Sequence, residues 1–297
     1  MAIVLITGCS SGIGLETALA FARNGDTVFA TMRNPSKATT LLDRAKAENL
    51  AVEVLALDVT DDASVAACVA DIEGRHGAVD VLVNNAGIGA GGPVETIAIE
   101  HARAVMETNL WGAARMMRAA LPAMRARRAG VVINVSSVSG RVPGTPFEGW
   151  YAASKHALNA LSEAMVLELE PFDVRVVCIE PGSCRTEIYL NSPTEIKPTD
   201  PYAADHRWVD EFYSKSDEGE GGGDPALVAS AIVAAANDST TGLHTLVGDD
   251  AKLFVDLVAQ AGTFEAWMPI AKSIIEGVAG PRPQTVLGPP AGVIRRR

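Results

Sequence analysis

Short apolar runs alternate with longer segments of helical periodicity along most of the chain. Seven runs predict β-strands because they are rich in β-branched residues and bounded by turn residues: AIVLIT, TVFAT, VEVLAL, DVLVN, VVINVS, VRVVCIE and LHTLVG. Strands that are apolar at nearly every position are typical of a parallel sheet covered by helices on both faces. The pattern therefore predicts a single-domain α/β fold, a doubly wound parallel sheet of about seven strands, with ligands at the strands' carboxyl ends.

Residues 187–223 form a long insert after the sixth predicted strand, and such inserts often form a lid or binding loop. The composition of SKSDEGEGGGDP, which begins inside this insert and spans 214–225, predicts a mobile glycine-rich loop. The globular domain is predicted to span 1–280, and 281–297 to form a Pro/Gly-rich tail. The insert is rich in aromatic residues, which are candidate pocket walls together with three residues after the fifth predicted strand, although lid residues packed on one another would give the same pattern: Tyr189, Tyr202, Trp208, Phe212 and Tyr213, with Pro143, Phe147 and Trp150.

The composition and net charge of the chain favour a small-molecule ligand over a nucleic acid. The 297 residues are 48% hydrophobic and 21% charged, with a net charge of −11 that disfavours a nucleic-acid partner. Four cysteines are scattered without a C-x-x-C pair, so neither a disulfide framework nor a metal site is indicated, and reduced thiols in the cytoplasm are expected. No apolar run is long enough to span a bilayer.

The first chemical motif is TGCSSGIG, residues 7–14, between the first strand and the first helix. Gly8, Gly12 and Gly14 lack a Cβ, so the turn can tighten and the backbone can approach a pyrophosphate at the helix N-terminus. A tight turn that uses glycine for geometry alone is the alternative interpretation.

The second motif is YAASK, residues 151–155, in a segment that reads as an alanine-rich helix. Positions i and i+4 share a helix face, so Lys155 is expected beside the Tyr151 phenol, where its charge would favour the phenolate. A free tyrosine titrates near pH ~10, and a neighbouring cation would bring it closer to neutrality. Tyr151 is therefore the candidate general acid and base.

Seven motifs in order carry a family resemblance: TGCSSGIG at 7, LDVT at 57, NNAG at 84, NLWG at 109, INVSS at 133, YAASK at 151 and EPG at 180. With them the chain resembles the short-chain dehydrogenase/reductase family, closest to its hydroxysteroid and retinol dehydrogenase-like branch. The resemblance implies a Rossmann fold. It also implies an NAD(P)-dependent oxidoreductase that interconverts a hydrophobic alcohol and its ketone or aldehyde by hydride transfer.

The resemblance also implies site residues. Ser137 would bind the substrate oxygen, although it lies fourteen residues before Tyr151, one more than the family spacing, and Ser136 and Ser139 are less favoured candidates. Asn109 would bend its helix and hold a water that links Lys155 to solvent. Asp58 would bind adenine, or alternatively cap the helix that begins near Asp61. The candidate cofactor contacts are Gly8, Ser10, Ser11, Gly12, Ile13, Gly14, Arg33, Asp58, Val59, Asn85, Ala86, Gly87, Tyr151, Lys155, Pro181, Gly182 and Thr186.

Arg33 indicates which nicotinamide cofactor is preferred. NAD sites place an acidic residue about 20 positions after the glycine turn, where it binds the ribose 2′-hydroxyl. Here Met32 and Arg33 occupy that region, and a guanidinium pairs with a 2′-phosphate. The sequence therefore favours NADP(H) over NAD(H), the alternative being an ordinary surface arginine.

Two other functions fit parts of the sequence. A 3-oxoacyl-carrier reductase would need a basic docking patch, for which Arg125, Arg127 and Arg128 are the candidates. A catalytically idle NADP-binding regulator would have no use for the Asn109, Ser137, Tyr151 and Lys155 set. The resemblance further implies a homodimer or homotetramer formed through the helices around 96–127 and 150–170. The substrate itself, the direction of reaction and the pathway are not specified by the sequence.

Overall fold

A computed structural model describes residues 1–144, 146–186, 188, 200–218 and 223–283. Seven parallel strands form one sheet in the order β3-β2-β1-β4-β5-β6-β7. The strands are β1 Ile3–Ile6, β2 Thr27–Met32, β3 Val52–Ala56, β4 Val81–Asn84, β5 Gly130–Val135, β6 Val174–Pro181 and β7 His244–Val247. All seven apolar runs are therefore strands, and the doubly wound parallel sheet predicted from them is confirmed.

Helices connect the strands and cover both faces of the sheet. They are α1 Gly12–Arg23, α2 Thr39–Ala47, α3 Asp62–His76, α4 Ile99–Met106, α5 Ala113–Arg127, α6 Gly149–Leu169, α7 Ala203–Glu218, α8 Pro225–Asn237, α9 Asp249–Ala261 and α10 Phe264–Ala279. None of the helices in the described ranges is both long and apolar enough to cross a membrane.

The core divides into two layers because successive strand residues point to opposite faces. On β1, Val4 and Ile6 pack in the layer that contains α1 and α8, and Leu5 packs in the layer that contains α3, α5 and α6. All three are fully buried. A strand that contributes to both layers must be apolar at consecutive positions, which is the pattern seen in the sequence.

The chain reverses its direction of winding between β1 and β4, which are neighbours in the sheet. Helices that leave neighbouring strands in opposite directions open a crevice at the carboxyl ends of those strands, where ligands bind in this class of fold. The turn after β1 and the segments after β4, β5 and β6 all begin at this edge. The candidate residues from the first 186 positions are thereby collected in one place.

One prediction about the irregular segments needs correction. The glycine-rich loop expected over 214–225 is wrong for 214–218, because α7 continues to Glu218. The residues after α10 are bonded to α7: the Arg282 Nε donates to Asp205 Oδ1 at 2.8 Å, and Gly280 O accepts from Trp208 Nε1 at 2.7 Å. The insert residues 187, 189–199 and 219–222, with Tyr189 among them, and the tail from 284 onward lie outside the described residues. The domain boundaries stay predictions.

Candidate active site

A cavity of about 530 Å³ opens at the carboxyl edge of the sheet. One end is lined by Ser137, Tyr151 and Lys155, close to Asn85 and Gly87. Most of the remaining wall is apolar. Its larger side chains come from the loop after β5 and from α7, α9 and α10: Val142, Pro143, Val209, Phe212, Tyr213, Phe254, Trp267, Ile274, Ile275 and Val278.

Tyr151 and Ser137 meet at the polar end of this cavity. Tyr151 lies in the first turn of α6, is 6% exposed and is hydrogen-bonded to the Ser137 side chain. Ser137 begins a short 3₁₀ turn over Val138–Gly140, and its Oγ accepts from Ser139 N at 3.1 Å. This turn after β5 brings Ser137 to the tyrosine despite the longer spacing in the sequence.

The two other candidate serines have different partners. The Ser136 hydroxyl donates to the backbone oxygen of Lys155 at 3.5 Å, and the Ser139 hydroxyl donates to Glu148 Oε2 at 3.1 Å. Among the three serines, Ser137 is therefore the one whose side chain the structure joins to Tyr151.

Lys155 lies one helical turn after Tyr151 on the same face of α6. Its Nζ is 5.6 Å from the centre of the Tyr151 ring and donates to Val135 O at 2.8 Å. Burial lowers the pKa of Lys155 to about 8, because removal from water disfavours the ammonium form. The predicted i, i+4 pairing on one helix face is present.

The pKa of Tyr151 is shifted in the direction opposite to the one expected from the sequence. Burial raises it above the ordinary value, the Glu148 charge raises it further, and the hydrogen bond with Ser137 opposes both effects. The expectation of a lowered pKa was wrong for the protein alone because it took account of Lys155 and omitted burial and Glu148. At neutral pH, Tyr151 is therefore a protonated phenol.

Asn109 lies in a π-helical segment, Glu107–Gly112, that interrupts the helical run from α4 to α5. Its Oδ1 accepts from Ile88 N at 2.9 Å, and its Nδ2 donates to Ile88 O at 3.0 Å and to Ser154 Oγ at 3.0 Å. Ser154 Oγ in turn donates to Tyr151 O at 2.7 Å. The predicted helix distortion is present, and Asn109 joins the segment after β4 to the first turns of α6.

The glycine turn is packed against the segment after β4. A Cβ on Gly14 would lie 2.3 Å from Gly8 O and 2.4 Å from Asn85 Nδ2, and one on Gly8 would lie 2.8 Å from the Cα of Ala86. Asn85 Nδ2 donates to Thr7 O at 2.9 Å and to Gly8 O at 3.1 Å. These close approaches explain why glycine is required at two of the three positions.

Helix α1 presents a cofactor-compatible N-terminus. Its N-cap residue, Ser11, is extended and makes no side-chain cap hydrogen bond, and the first turn of the helix contains no acidic residue. A helix start with these properties accommodates an anion, since amide hydrogens and the helix dipole both favour negative charge. Ser10, Ser11, Gly12 and Ile13 are half-buried along this turn, and Ile13 also borders the cavity.

Arg33 and Asp58 lie just beyond the ends of the neighbouring strands β2 and β3. Arg33 is exposed and forms no salt bridge with any described residue. Burial raises the pKa of Asp58, but hydrogen bonds from Thr60 and the charges of Arg33 and Arg115 outweigh it, so the pKa lies below its ordinary value. Asp58 does not cap α3: the cap is Asp61, whose Oδ1 accepts from Ala63 N at 2.8 Å.

Val59, the next residue, is 6% exposed, and its Cγ2 would be 2.7 Å from a Cβ placed on Gly112. Its side chain thus packs the segment after β3 against the π-helical segment that contains Asn109. The cofactor contact predicted for Val59 would therefore be made by its backbone atoms, because its side chain is buried.

Beyond β6, the turn at Pro181 and Gly182 contacts the start of α9. Gly182 N donates to Val247 O at 2.9 Å, and a Cβ on Gly182 would lie 2.2 Å from Asp250 Oδ1. Asp250 Oδ2 also accepts from Ser183 N at 2.6 Å. Thr186 faces the glycine turn, with its Cγ2 3.4 Å from a Cβ placed on Gly12. The structure therefore gathers the predicted cofactor contacts along one continuous edge.

Only some of the predicted pocket-wall residues reach the cavity. Pro143, Phe212 and Tyr213 line it, which agrees with the pocket-wall interpretation. Trp208 packs with Val209 and Ile275, and Phe147 makes edge contacts with Tyr202 and His206. Trp150 packs beside Tyr151 with Ala90 and Val105. The lid-packing alternative therefore holds for these other residues.

Sequence reasoning missed the contributions of the last two helices and of two carboxylates. Trp267 is 3% exposed, lines the cavity and donates Nε1 to Pro143 O at 2.8 Å, which ties α10 to the loop after β5. Glu148 and Asp250 also line the cavity. None of these residues belongs to a spaced motif, although the amphipathic period of α9 and α10 would have predicted two further helices.

A buried polar cluster supports the site from behind. Glu180, on β6, is fully buried, and its carboxylate accepts from Arg141 at 3.1 Å, Asn159 at 2.9 Å and His244 Nδ1 at 2.8 Å. A buried carboxylate is tolerated when it is both charge-paired and hydrogen-bonded. The cluster joins β6 and β7 to α6 and to the loop that contains Ser137.

Comparison with known proteins places the chain among oxidoreductases. Residues 2–196 match the family described as short chain dehydrogenase. Uncharacterized oxidoreductase YusZ from Bacillus subtilis is 37% identical over 278 residues, which cover 91% of this chain and 97% of the relative. A solved short-chain dehydrogenase from Streptomyces avermitilis has a TM-score of 0.77 at 34% identity, covering 92% of this chain and 98% of that one.

Two more relatives match over a shorter region. A 3-ketodihydrosphingosine reductase from Bacteroides thetaiotaomicron is 42% identical over 185 residues, 62% of this chain and 64% of the relative. Retinol dehydrogenase 8 from Bos taurus is 43% identical over 207 residues, 67% of this chain and 65% of the relative. The chain thus spans just under two thirds of the length of both. The second match agrees with the branch indicated by the motifs.

A structure of a metagenomic short-chain oxidoreductase in complex with NADP is also similar, with a TM-score of 0.65 at 28% identity. The alignment covers 83% of this chain and 96% of that chain. The fold that surrounds the glycine turn is thus shared with a protein whose structure contains a nicotinamide cofactor.

Proposed function

The chain is an oxidoreductase of the short chain dehydrogenase family, and on that premise we propose that it interconverts a bulky hydrophobic alcohol and its ketone or aldehyde with NADP(H). One observation carries the proposal. The Ser137 and Tyr151 hydroxyls, joined by a hydrogen bond, are placed at one end of a largely apolar cavity of about 530 Å³, beside the glycine turn. A hydrophobic substrate in that cavity would direct its oxygen toward both hydroxyls.

The glycine turn, Asn85 to Gly87, Asp58 and Thr186 would hold the cofactor along the edge of the sheet. When bound, the nicotinamide supplies or accepts the hydride. In reduction, Tyr151 donates a proton to the substrate oxygen, and Ser137 donates a hydrogen bond to the same oxygen as its negative charge develops. A tyrosine with a raised pKa is protonated at neutral pH, the form that reduction requires. Oxidation uses the same groups in reverse.

Lys155 and Asn109 are proposed to support Tyr151. Once Tyr151 has given up its proton, the ammonium of Lys155, 5.6 Å from the ring centre, stabilises the phenolate. Asn109 fixes the Ile88 backbone and Ser154, which accepts from Asn109 and donates to Tyr151 O. We propose that Asn109 also holds a water through which the proton is replaced.

Arg33 supports the preference for NADP(H). It is an exposed cation at the end of β2, the position from which NAD-specific proteins offer a carboxylate. The charge of Arg33 lowers the pKa of Asp58, which lies just after the next strand, so the two side chains are close to each other. A similar chain solved with NADP agrees with this choice. Retinol dehydrogenase 8, the relative named for a bulky hydrophobic alcohol, agrees with the substrate class.

The oxoacyl-carrier alternative receives less support. Arg125, Arg127 and Arg128 lie at the end of α5, immediately before β5, and therefore at the sheet edge opposite the cavity. Arg127 pairs with Asp80 at 2.6 Å, Arg128 pairs with Asp173 at 2.7 Å, and Arg125 lies over the Phe172 ring. A docking patch for an acidic carrier would need to be near the mouth of the cavity.

We also propose that the protein is a homodimer or homotetramer. Exposed apolar side chains occur on the helices through which the family resemblance implies assembly: Ile99 is 48% exposed, Trp111 55% and Leu167 74%. Side chains of this kind on long helices fit a helix-to-helix interface. The cytoplasmic location stays a prediction.

The test is a titration of the protein with NADPH and NADH, followed by turnover of steroid, retinoid and acyl ketones measured by NADPH absorbance. Tighter NADPH binding with turnover of a bulky ketone is expected. Tyr151→Phe should lower kcat by about 10²–10⁴-fold, the usual contribution of general acid–base catalysis, while NADPH binding is retained. A Tyr151→Phe protein as active as the wild type would contradict the mechanism. Cofactor binding without turnover across the panel would instead favour the idle regulator.

A further inference from the structure

The segment that contains Ser137, residues 137–141 and here called the Ser137 turn, is tied to β6 at both of its ends. Just before it, Ser136 N donates to Ile179 O at 2.8 Å. At its other end, Arg141 Nη1 donates to Glu180 Oε2 at 3.1 Å. Ile179 and Glu180 are consecutive residues of β6. The two ends of the turn are therefore held by neighbouring positions of one strand.

The two ties are bonds of different kinds. The first joins two backbone atoms, whereas the second is an ion pair between side chains. Glu180 is fully buried, and the side chain of Arg141 is 31% exposed. Asn159 and His244 are hydrogen-bonded to the other carboxylate oxygen, Oε1. Because a buried charge is costly to leave unpaired, the carboxylate holds the guanidinium in a defined place.

The same carboxylate joins the Ser137 turn to α6. Asn159, one helical turn after Lys155, donates from Nδ2 to Glu180 Oε1 at 2.9 Å and to Gly140 O at 3.1 Å. A Cβ on Gly140 would lie 2.9 Å from Asn159 Nδ2 and 3.1 Å from Lys155 O. The turn is therefore packed directly on the helix that contains Tyr151. Any movement of the turn changes its position relative to the reacting phenol.

Hydrogen bonds inside the turn connect its first residue to its last. Gly140 N donates to Ser137 O at 2.9 Å, and Arg141 N donates to Val138 O at 2.9 Å. Ser137 Oγ accepts from Ser139 N at 3.1 Å. Such short-range bonds close a tight helical turn, so its residues move together. The point at which the Arg141 side chain is held thus affects where the Ser137 hydroxyl lies.

We propose, on the basis of the proposed function, that Arg141 is a positioning residue for the reaction. Its ion pair with Glu180 holds the Ser137 turn so that the Ser137 hydroxyl reaches both Tyr151 and the substrate oxygen. Arg141 is not among the described residues that line the cavity, so it acts through Ser137 and does not touch the substrate. The hydride and proton transfers are unchanged.

The first test replaces the guanidinium. Arg141→Met should lower kcat for reduction of a bulky ketone about tenfold and leave NADPH affinity unchanged, because a displacement of about 1 Å is costly for an oriented group. Arg141→Lys keeps a cation for Glu180 and should recover most of the loss. The matched control is Arg175→Met, at the other end of β6, where the guanidinium donates to carbonyls at the end of α8. That variant should lose stability in urea unfolding but keep the wild-type kcat.

The second test asks whether Arg141 acts through Ser137. Removal of a donor to the developing oxyanion costs about 10²–10³-fold in kcat, so turnover by Ser137→Ala remains measurable with more enzyme. In that background, Arg141→Met should lower kcat by less than about twofold, because the hydroxyl that it positions is already absent. General damage to the site would instead lower kcat by the same factor with and without the Ser137 hydroxyl. If Arg141→Met does not fold, Arg141→Gln takes its place in both tests.

An Arg141 variant that keeps the wild-type kcat would overturn the inference while leaving the proposed function intact. An equal fold-loss in the wild-type and Ser137→Ala backgrounds would have the same meaning. Absence of turnover by the wild-type enzyme with every ketone would overturn the proposed function, and the inference with it.

Discussion

The glycine turn and the C-terminal helices border the same cavity but are held in place by different kinds of contact. In the turn, a single added Cβ on Gly14 would meet the Gly8 carbonyl oxygen at 2.3 Å. In α10 and the turn before it, a Cβ on Gly277 or Gly262 would meet nothing within 4 Å. The C-terminal helices depend instead on side chains, such as the indoles of Trp208 and Trp267. The glycine turn, where the cofactor is proposed to bind, is thus held by close backbone contacts. The C-terminal helices, at the proposed substrate end, are held by side chains that can be substituted.

The largest effect is expected for Gly14→Ala. Because the new methyl group would overlap a backbone carbonyl and the Asn85 amide, the turn must move, which should destabilise the protein by about 3 kcal/mol or more and abolish NADPH binding. Urea unfolding and a NADPH titration measure the two effects. The matched control is Gly277→Ala in α10, which should be neutral or stabilise by about 0.5–1 kcal/mol. Similar losses in both variants would remove the contrast between the two regions.

The next effect concerns the ionisation of Lys155. An unfolded lysine titrates near 10.5, whereas burial lowers the pKa of Lys155 to about 8. Between these pH values the unfolded state binds the additional proton, so this group makes the free energy of unfolding rise with pH. The difference in stability between the wild type and Lys155→Met should therefore change by about 2–3 kcal/mol from below pH 8 to near pH 10.

Taking the difference removes the titration of the buried thiols and of tyrosine residues that both proteins share. Lys37→Met, at an exposed position, is the control for the loss of a lysine as such. Parallel curves for the wild type and Lys155→Met would show that Lys155 titrates like a solvated lysine.

A smaller effect is expected for the cofactor contact at Arg33. Arg33→Ala should weaken NADPH binding by about 10–100-fold, because a charge-assisted hydrogen bond to phosphate contributes roughly 1.5–3 kcal/mol, and should leave NADH binding unchanged. Calorimetry with both cofactors measures the selectivity. Lys37→Ala, on the following 3₁₀ turn, should have a weaker effect. An equal loss for NADPH and NADH would argue against contact with the 2′-phosphate.

The smallest effect is expected at the substrate end. Trp267→Phe keeps the aromatic ring but loses the hydrogen bond to Pro143 O, which should cost about 1 kcal/mol and raise KM for a bulky ketone a few-fold, with NADPH affinity unchanged. Trp208→Phe loses a comparable bond to Gly280 O in the packed cluster behind the cavity. It should therefore lose stability without a change in KM. A weakened NADPH affinity in Trp267→Phe would show that the two ends are coupled.

The sequence predicted the backbone-determined part of the molecule better than the side-chain-determined part, for physical reasons. Continuous apolar strands are required by a sheet buried on both faces, so all seven were readable. Gly14 and the pair Tyr151 and Lys155 are also local in sequence, and their spacing predicts their geometry. In contrast, Trp267 reaches the cavity from a helix more than a hundred residues beyond Tyr151. No local pattern encodes that contact.

The sequence also did not predict the electrostatics of the site correctly. The i, i+4 spacing indicated a cation beside Tyr151, but the sign of the pKa shift depends on burial and on Glu148, which the spacing does not show. The structure also excludes the alternative role of Asp58 as the cap of α3, because Asp61 caps that helix. In both cases three-dimensional surroundings, which local sequence does not show, decide the outcome.

The Asp250 carboxylate fits between Gly182 and Gly248, where added Cβ atoms would lie 2.2 Å and 2.5 Å from its Oδ1. The residues at these three positions are therefore sterically interdependent, although the first is separated from the others by α7, α8 and β7. A chimera can be made by joining the N-terminal part of one relative to the C-terminal helices of another in order to change the substrate range. If the junction lies between Gly182 and Gly248, the chimera takes the residue at 182 from one protein and Asp250 from the other. Hybrids that keep all three residues should assemble, whereas those with a larger residue at 182 would require a compensating loss of the carboxylate.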